Sequence, residues 1–268
     1  MAIKLYIPPL ELSRHIQYIW SDDLSTHSIP HEVKISKFAE TNPRMYFYNP
    51  GDQSELKDQF GKTLPICHLK GIDTKKSSAI IAPKSSIIGI CFFPYALQDI
   101  FDISPKELID LQINIDDLKG QELTDALLFC ETTDERLTCI YTFFYKKINS
   151  KKKNFHQAIG HLIGQNLLEH NTSLDIAAKE VNLSRRQLER IFRAQVGVSP
   201  NRYQSILRFE KALTLIKNEE SLTGLSSILE YADQSHFIKD FKKYSDMTPS
   251  QFLKYKIPDS HDNTMREA

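Results

Sequence analysis

The side chains best suited to chemistry in this sequence are arginines that lie in one stretch of the C-terminal half. Between residues 184 and 208 all six basic side chains are arginine, and Glu189 is the one acidic residue. Arginine forms paired hydrogen bonds with phosphate groups and with the O6 and N7 atoms of guanine. A solvated helix face gives the same charge pattern, so charge alone leaves both interpretations open. The six residues are Arg185, Arg186, Arg190, Arg193, Arg202 and Arg208.

Two short helices joined by a tight turn are predicted to position these arginines. Residues 174–181 carry apolar side chains at helical spacing, and Ser184 is a good N-cap for a second helix. In the second helix an apolar stripe lies about 150° around the axis from a charged stripe. This pattern is typical of a helix-turn-helix, whose second helix can enter the major groove of DNA. The apolar stripe is Leu188, Ile191 and Phe192, and the charged stripe is Arg186, Glu189, Arg190 and Arg193.

The same unit occurs twice in the C-terminal half. Shifting residues 184–203 by 49 positions places them on residues 233–252. The N-caps, the buried apolar positions and two outward cations all recur, whereas a repeat that served packing alone would keep only the apolar positions. Two helix-turn-helix units are therefore predicted, at about residues 173–194 and 222–243. The matching pairs are Ser184 and Asp233, Leu188 and Phe237, Arg190 and Lys239, Phe192 and Phe241, Arg193 and Lys242, and Ser199 and Thr248.

An amphipathic segment of 18 residues, 200–217, joins the two units. As a helix it would span about 27 Å, because each residue rises about 1.5 Å. Successive major-groove faces on one side of B-form DNA are about 34 Å apart. A rigid helix of this length, with a reading helix off each end, can address two consecutive grooves. The residues available for burial on it are Tyr203, Ile206, Leu207, Ala212 and Leu215.

Residues 173–256 resemble the DNA-binding domain of AraC/XylS-type transcriptional regulators. The resemblance is carried by SLDIAAKEVNLSRRQLERIFRAQVGVSP at residues 173–200 and by YADQSHFIKDFKKYSDMTPSQF at residues 231–252. It implies a sequence-specific regulator, an activator rather than a repressor, with double-stranded DNA and RNA polymerase as partners. Residues 1–150 resemble more loosely the β-rich N-terminal domain of one branch of these regulators. That resemblance implies control by a small-molecule effector or by formation of a homodimer.

Two positions in the second unit depart from the family pattern. Glu230 and Asp246 stand where the family usually has glycine. Asp tolerates a left-handed backbone whereas Glu is poorer there, so we expect a distorted turn near Glu230. Asn182, in the corresponding first turn, is also tolerated in that conformation.

The resemblance places particular residues of the first reading helix on DNA. Arg186 and Arg190 are expected on guanine O6 and N7. Glu189 is expected either on cytosine N4 or in an ion pair one turn away, with Arg186 or Arg193. Arg193 is expected on a phosphate, where it fixes register without reading sequence. The residues presented by this helix are Arg185, Arg186, Gln187, Glu189 and Arg190.

The second reading helix presents a less basic set of residues. Gln234 is suited to adenine, and Ile238 is expected either on a thymine methyl group or buried against a neighbouring helix. Lys239 and Lys242 are expected on phosphates. His236 is interpreted as a turn residue or as a side chain that faces a phosphate. The full set is Gln234, Ser235, His236, Ile238, Lys239 and Lys242.

The chain is predicted to divide at the polar segment 149–154, which gives domains at residues 1–150 and 151–268. Residues 1–95 are rich in short β patterns punctuated by proline, and two of them, 79–82 and 87–93, indicate a hairpin. The predicted fold class is therefore α+β and multidomain. A β-barrel-like (cupin-like) domain with appended helices precedes an all-α double helix-turn-helix domain. An apolar stripe in residues 131–149 belongs either to the core or to a dimer seam.

Four aromatic residues of the N-terminal half are candidates for an apolar effector pocket: Trp20, Phe38, Tyr46 and Tyr48. Packing in the core is the competing interpretation, since most aromatic residues in strands are buried. The sequence names no particular effector.

Motifs for catalysis, cofactors and metals are missing from the sequence. There is no GxSxG, HExxH, GxxxxGK[ST] or GxGxxG, and the four cysteines form no CxxC pair. No apolar run approaches the roughly 18 residues that span a bilayer, and no secretory signal is evident, so a reduced cytoplasmic location is expected. We therefore expect no enzyme, no cofactor, no metal and no membrane partner. The alternative function is a metabolite-binding β-barrel module, or an enzyme, whose helical half is an interaction domain.

Overall fold

The computed structural model has a β-rich N-terminal half and a helical C-terminal half, which confirms the predicted α+β class. No helix in the described part of the chain is long and apolar enough to cross a membrane. The structure describes residues 3–23, 32–49, 55–58, 60–81, 85–149, 157–168, 172–216, 222–254 and 264–267.

The strands of the described residues form two antiparallel sheets. They are β1 (Lys4–Tyr6), β2 (Ile16–Asp23), β3 (Val33–Lys37), β4 (Arg44–Asn49), β5 (Lys57–Asp58), β6 (Cys67–Lys70), β7 (Ser77–Ile81), β8 (Ser86–Phe92), β9 (Gln112–Asn114) and β10 (Thr264–Glu267). The larger sheet has the order β1-β2-β8-β4-β6-β9, and the smaller one β10-β3-β7-β5.

Strand β8 lies at the centre of the larger sheet, between β2 and β4. Its residues from Ile88 to Phe92 are buried, as expected for a strand covered on both faces. Gly89 opposes Trp20 across the β2–β8 ladder. A Cβ at this position would lie 2.3 Å from the indole ring, so glycine leaves the space that Trp20 occupies.

The prediction of a hairpin from residues 79–82 and 87–93 is wrong. Strand β7 pairs with β3 and β5 in the smaller sheet, whereas β8 pairs with β2 and β4 in the larger one. Both segments are strands, but the chain changes sheets between them. The physical reason is burial: β8 is mostly buried, whereas most of β7 is only half-buried, so the two strands suit different layers.

The C-terminal half is not entirely α-helical. Residues Thr264–Glu267 form β10, which pairs antiparallel with β3 at the edge of the smaller sheet. Backbone groups at a sheet edge accept any extended segment that reaches them. Because such pairing needs little from the side chains, no residue pattern predicted this strand.

Three helices pack against the larger sheet: α1 (Ala96–Phe101), α2 (Gln121–Phe129) and α3 (Thr133–Asn149). The apolar stripe of α3 is buried in the core that they share with the sheet. Phe144 lies at the centre of this core, with its ring centroid 5.4 Å from that of Phe92. The stripe is therefore core rather than a dimer seam.

The helices of the C-terminal half are α4 (Gln157–Gly164), α5 (Leu174–Glu180), α6 (Arg185–Val196), α7 (Pro200–Leu215), α8 (Leu222–Ile228), α9 (Gln234–Ser245) and α10 (Pro249–Phe252). Apart from Asn149, the predicted linker at 149–154 lies outside the described residues. The position of the domain boundary therefore stays a prediction.

The two halves of the chain share one hydrophobic cluster. The segment after β3 enters the helical half, where Phe38 and Ala39 are buried among its helices. The Ala39 N–H donates to the carbonyl oxygen of Tyr244, with an N–O distance of 3.3 Å. A second contact lies at Gly197, which approaches the backbone of Pro105 so closely that a Cβ at this position would lie 2.9 Å from it. The helical half is therefore docked against the N-terminal half at more than one place.

Candidate nucleic-acid interface

Helices α5 and α6 form the first helix-turn-helix unit. Asn182 in the turn has a φ of 54°, a left-handed conformation that Asn tolerates. Ser184 caps α6: its Oγ accepts the N–H of Gln187, and the Gln187 amide oxygen accepts the N–H of Ser184 at 2.9 Å. This reciprocal capping box fixes the start of the helix. It also gives Gln187, expected among the DNA contacts, a structural role through its oxygen.

The exposed face of α6 carries three arginines that are available to a partner. Arg186, Arg190 and Arg193 are exposed and form no ion pair within the described residues. Leu188, Phe192 and Val196 are buried on the opposite side. The predicted separation of an apolar stripe from a cationic stripe is therefore present in the structure.

Arg185 differs from the other arginines of α6. Its Nε lies 3.2 Å from Glu189 Oε1, and its Nη1 lies 3.3 Å from Asp175 Oδ2 on α5. The hydrogen bond with Glu189, together with the charge of Asp175, raises the pKa of the Arg185 guanidinium. Glu189 thus pairs with Arg185, and not with Arg186 or Arg193 as expected from the spacing. The pairing spans one helical turn and leaves the other arginines unneutralised.

Helices α8 and α9 form the second unit, with a turn one residue longer than the first. Glu230 in this turn has a φ of 56°, so it adopts the left-handed conformation without glycine. Asp233 caps α9, because its Oδ1 accepts the N–H of His236 at 2.8 Å. Asp246 ends α9 with a φ of 60°. The expected distortion near Glu230 takes the form of an ordinary left-handed residue and a longer turn.

The outward face of α9 carries Ser235, Lys239 and Lys242, which are exposed. Both lysines lack an ion pair within the described residues. Gln234 is exposed too, but its Oε1 accepts a hydrogen bond from Thr223 Oγ1 at 3.2 Å. Gln234, the first residue of α9, is therefore hydrogen-bonded to helix α8.

Two further residues of the second unit face the protein in part. Ile238 is half-buried and packs against the hydrophobic cluster, which favours the burial interpretation over a thymine contact. His236 is exposed, and its ring lies edge-on to Tyr231 with centroids 5.3 Å apart.

Helix α7 holds the two units together through aromatic contacts. Near its start, the ring of Tyr203 lies 5.3 Å from that of Phe192 in the first unit. Further along, the ring of Phe209 lies 5.2 Å from that of Phe241 in the second unit. The 16 residues of α7 span about 24 Å, slightly less than the expected helix because α7 ends at Leu215.

The two units are copies in structure as well as in sequence. Helices α6 and α9 have 12 residues each, and both of their ends differ by 49 positions. Their N-caps, Ser184 and Asp233, occupy equivalent places. Ser199 and Thr248 then cap α7 and α10, and each precedes a proline in the first helical turn. The repeat therefore extends through the helix that follows each reading helix.

The four aromatic candidates for an effector pocket do not come together. Trp20 and Tyr46 are buried and in edge-to-face contact, with ring centroids 6.3 Å apart. Tyr46 also faces His68, whose burial lowers its pKa to about 3 and keeps its ring neutral. No group of three residues suited to hold a metal occurs among the described residues.

The other two candidates lie elsewhere. Phe38 packs in the helical half, with its ring centroid 6.4 Å from that of Phe209 and 5.6 Å from that of Phe252. Tyr48 is buried in a separate small cluster with Leu56. A pocket lined by all four aromatic residues is therefore not formed.

Sequence reasoning missed a cavity between the two halves of the chain. It has a volume of about 270 Å³, and Glu210 of α7 and Thr41 lie in its wall. The Glu210 carboxylate accepts the N–H of Thr41 at 3.0 Å and its hydroxyl at 2.9 Å. Burial raises the pKa of Glu210 to about 7, against the effect of the two hydrogen bonds. Only the tertiary fold brings these residues together, since they are 169 positions apart.

Comparison with known families divides the chain into two matched regions. Residues 177–255 match a family described as "Helix-turn-helix domain". Residues 4–114 match a family described as "Domain of unknown function (DUF6597)". The first region covers both helix-turn-helix units from α5 to α10, and the second covers the strands of the N-terminal half.

Curated relatives match over limited lengths. The HTH-type transcriptional regulator GbdR of Pseudomonas aeruginosa is 31% identical over 121 residues, which cover 40% of this chain and 33% of that protein. The HTH-type transcriptional regulator MtrA of Neisseria gonorrhoeae is 34% identical over 100 residues, or 36% of this chain and 33% of that protein. The chain thus spans about a third of the length of these relatives.

Among solved structures, ToxT from Vibrio cholerae O395 aligns with 94% of this chain and 97% of its own, at 13% identity and a TM-score of 0.44. The sequence motif, the repeated geometry and the family match over residues 177–255 agree with one another. Residues 177–255 therefore belong to the AraC type of helix-turn-helix domain.

Proposed function

We propose that this chain is a sequence-specific DNA-binding transcriptional regulator that reads two successive major grooves with α6 and α9. The observation that carries the proposal is the repeated unit: two helices of equal length, each with an N-cap side chain that accepts the N–H of the third helical residue, and each with exposed cations opposite a buried apolar stripe. A helix face whose cations form no ion pairs within the protein is suited to bind the phosphates and base edges of DNA. The regulator acts as an activator and is not an enzyme.

The side chains divide between reading and anchoring. Arg186 and Arg190 are exposed without ion pairs near the N-terminal part of α6, where a reading helix meets base edges, and they contact guanine. Arg193, Lys239 and Lys242 contact phosphates and fix the register of the protein on the duplex.

Two members of the predicted contact set act mainly within the protein. Arg185 is paired with Asp175 and Glu189, so its contribution to binding is through a phosphate near the turn. The Gln187 oxygen is held by the capping box, which leaves its amide N–H₂ for a base or a phosphate.

The N-terminal half controls this activity through a small-molecule effector or through a homodimer. The cavity that touches both Thr41 and Glu210 supports a link between the halves, since a ligand there would contact the N-terminal half and α7 together. RNA polymerase is the partner through which activation would occur, and the cytoplasm is the compartment.

The test is the affinity of the full chain for DNA as a function of salt. A binding site is first selected from a pool of random duplexes, and the dissociation constant is then measured between 50 and 300 mM salt. Each phosphate contact contributes a slope of about −0.9 in log K against log salt. The three anchors and Arg185, four phosphate contacts in all, predict a slope of about −3.6. A flat slope would contradict DNA binding and favour a metabolite-binding module or an enzyme with a helical interaction domain.

Single substitutions then separate the two roles. Arg186→Ala and Arg190→Ala should each weaken binding to the selected site by about 1–3 kcal/mol and relax preference at one or two base pairs. Arg193→Ala should weaken all duplexes alike and reduce the slope by about 1. Lys146→Ala, which removes an exposed cation from α3, is the matched control and should change neither. Unchanged binding in both reading variants would show that this face does not read the DNA.

A further inference from the structure

Two cysteines that are nine positions apart in the sequence meet in the N-terminal half. Cys130 ends helix α2, and Cys139 lies in the second turn of α3. Their Sγ atoms are 3.6 Å apart, both thiols are free, and both side chains are partly exposed. Their spacing matches no cysteine motif, because the reversal of the chain between α2 and α3 creates the contact.

The surroundings hold this pair in place. The Cys130 Sγ donates to the carbonyl oxygen of Ala126 at 3.1 Å. Arg136, nine-tenths buried, donates from Nη2 to the carbonyl oxygen of Cys130 at 2.7 Å. A disulfide needs an S–S distance of about 2.05 Å, so the two sulfur atoms have about 1.5 Å to close.

The other two cysteines cannot take part in such a reaction. Cys67 and Cys91 are fully buried in the larger sheet. Burial raises the pKa of Cys67 to about 12 and that of Cys91 to about 11. Because Cys130 has the same raised pKa as Cys91, it is burial, and not the pKa, that keeps the thiols of Cys67 and Cys91 from reacting. They serve as internal controls within the same chain.

We propose that Cys130 and Cys139 are a modification site that closes reversibly to an intramolecular disulfide by exchange with a small-molecule disulfide of the glutathione class. In the first step a thiolate of the pair attacks the glutathione disulfide, which forms a mixed disulfide and releases one glutathione thiolate. The second thiolate then attacks the protein sulfur and releases the second glutathione. The two protons lost by the cysteines are taken up by the two glutathione thiolates, and the cysteines are oxidised as glutathione is reduced.

The bond would fix the loop between α2 and α3. Residues Glu131, Thr133 and Arg136 of this region line a polar cavity of about 240 Å³ at the end of β2 and β8. Glu131, Thr133 and Arg136 lie between the two cysteines in the sequence. The disulfide would therefore restrain the part of the cavity wall that these residues form. The disulfide would thus tie the end of α2 to α3 beside this cavity, and this inference does not depend on the proposed function in DNA binding.

The pair should react slowly at neutral pH and faster in alkali. Burial is the larger cause that raises the pKa of Cys130 to about 11, and the hydrogen bond with Cys139 is the second. Glu135 adds to this effect, and Arg136 opposes it. The thiolate fraction, and with it the exchange rate, should increase about tenfold from pH 7 to pH 8.

The test uses the full chain, equilibrated with oxidised glutathione at pH 8, quenched in acid, alkylated under denaturing conditions and digested with trypsin. Trypsin cuts after Lys119, Arg136 and Lys146, so a disulfide would join peptide 120–136 to peptide 137–146. We expect this linked pair in the wild-type protein, with a mass about 2 Da below the sum of the two free peptides. Cys67 and Cys91 should be found alkylated, and dithiothreitol should reverse the change.

Single variants provide the matched controls. Cys130→Ser and Cys139→Ser should lose the linked peptides and leave the remaining cysteine as a thiol or as a glutathione adduct. The proposal is overturned if wild-type Cys130 and Cys139 stay reduced, or carry separate glutathione adducts. It is also overturned if the cysteines join two chains in a dimer on a non-reducing gel.

Discussion

The free energy of unfolding should depend on pH through Glu210, which is buried where the two halves of the chain meet. The substitution Glu210→Gln should remove this dependence. Glu210 is buried beside Thr41, and burial raises the pKa of its carboxyl from 4.5 to about 7. Ionisation of Glu210 is therefore more costly in the folded protein than in the unfolded chain. A glutamine is neutral at every pH; its amide oxygen can accept the N–H of Thr41 in place of Oε1, and its amide N–H₂, in place of Oε2, can donate to the Thr41 hydroxyl oxygen.

The sign and size of the effect follow from the shift in pKa. Below pH 4.5 the carboxyl is protonated in both states, and its contribution to the stability of the wild-type protein is fully present. Between pH 4.5 and about 7 the unfolded chain loses the proton first, so the free energy of unfolding decreases as pH rises. Each pKa unit corresponds to about 1.4 kcal/mol, which gives a total loss of about 3 kcal/mol. This is an upper value, since Glu210 borders a cavity that can hold water.

The assay is urea denaturation of both proteins at several values between pH 4.5 and 8, followed by far-UV circular dichroism. Other titrating groups affect both proteins alike, so the difference in unfolding free energy isolates Glu210. We expect Glu210→Gln to gain stability relative to wild type as pH rises to about 7, and the difference to stay constant above that pH. Glu122→Gln on the exposed face of α2 is the control for the same chemical change at a surface position. Parallel curves for wild type and Glu210→Gln would refute a buried, perturbed carboxyl at this site.

Three other changes test the local structure by urea denaturation. Glu230→Gly should stabilise the protein by up to about 1 kcal/mol, because a left-handed φ suits glycine better than glutamate; no gain would contradict the backbone of this turn. Gly89→Ala should cost about 1–3 kcal/mol and alter the fluorescence of Trp20, the single tryptophan, because the new Cβ would overlap the indole ring; an unchanged spectrum would contradict that contact. Ser184→Ala should cost about 1 kcal/mol through loss of the capping box with Gln187, whereas equal stability would show that the box contributes nothing.

The helical half was predictable because its signals are local. N-cap residues, apolar spacing and the shift of 49 positions all act within a few turns of chain. They gave the start of α6 at Arg185 and the start of α9 at Gln234, as the structure has them. The linking helix was predicted to be two residues longer than α7, because no residue in the sequence signals a helix end at Leu215.

The β-rich half was harder to predict because strand partners are chosen by distant residues. Strands β7 and β8 were recognised, but their assignment to two different sheets depends on partners more than 30 positions away, such as β2 for β8 and β3 for β7. A pattern of apolar residues shows that a segment is a strand, whereas it does not show which neighbour the strand pairs with.

The exposure of the cationic stripe on α6 was predictable from the sequence, whereas its ion pairs were not. The cationic stripe is exposed as expected, but the spacing of charges on a helix allows several pairings, and the fold selects Arg185 for Glu189 through the nearby Asp175. Phe38 looked like a pocket residue because it is aromatic and follows a strand. It packs instead on Phe209, 171 positions later, a contact that local patterns do not contain.

The arrangement around α7 indicates how a movement in the N-terminal half could reach helices α6 and α9. Phe209 contacts Phe38 of the N-terminal half and, 5.2 Å away, Phe241 of the second reading helix. Tyr203 near the start of α7 makes the matching contact with Phe192 of the first. Because protein interiors are closely packed, a displacement of the segment that carries Phe38 would be passed through these rings to the reading helices. The cations lie on the opposite, exposed faces of those helices, so an effector could change their placement while the surface that we propose contacts DNA stays free.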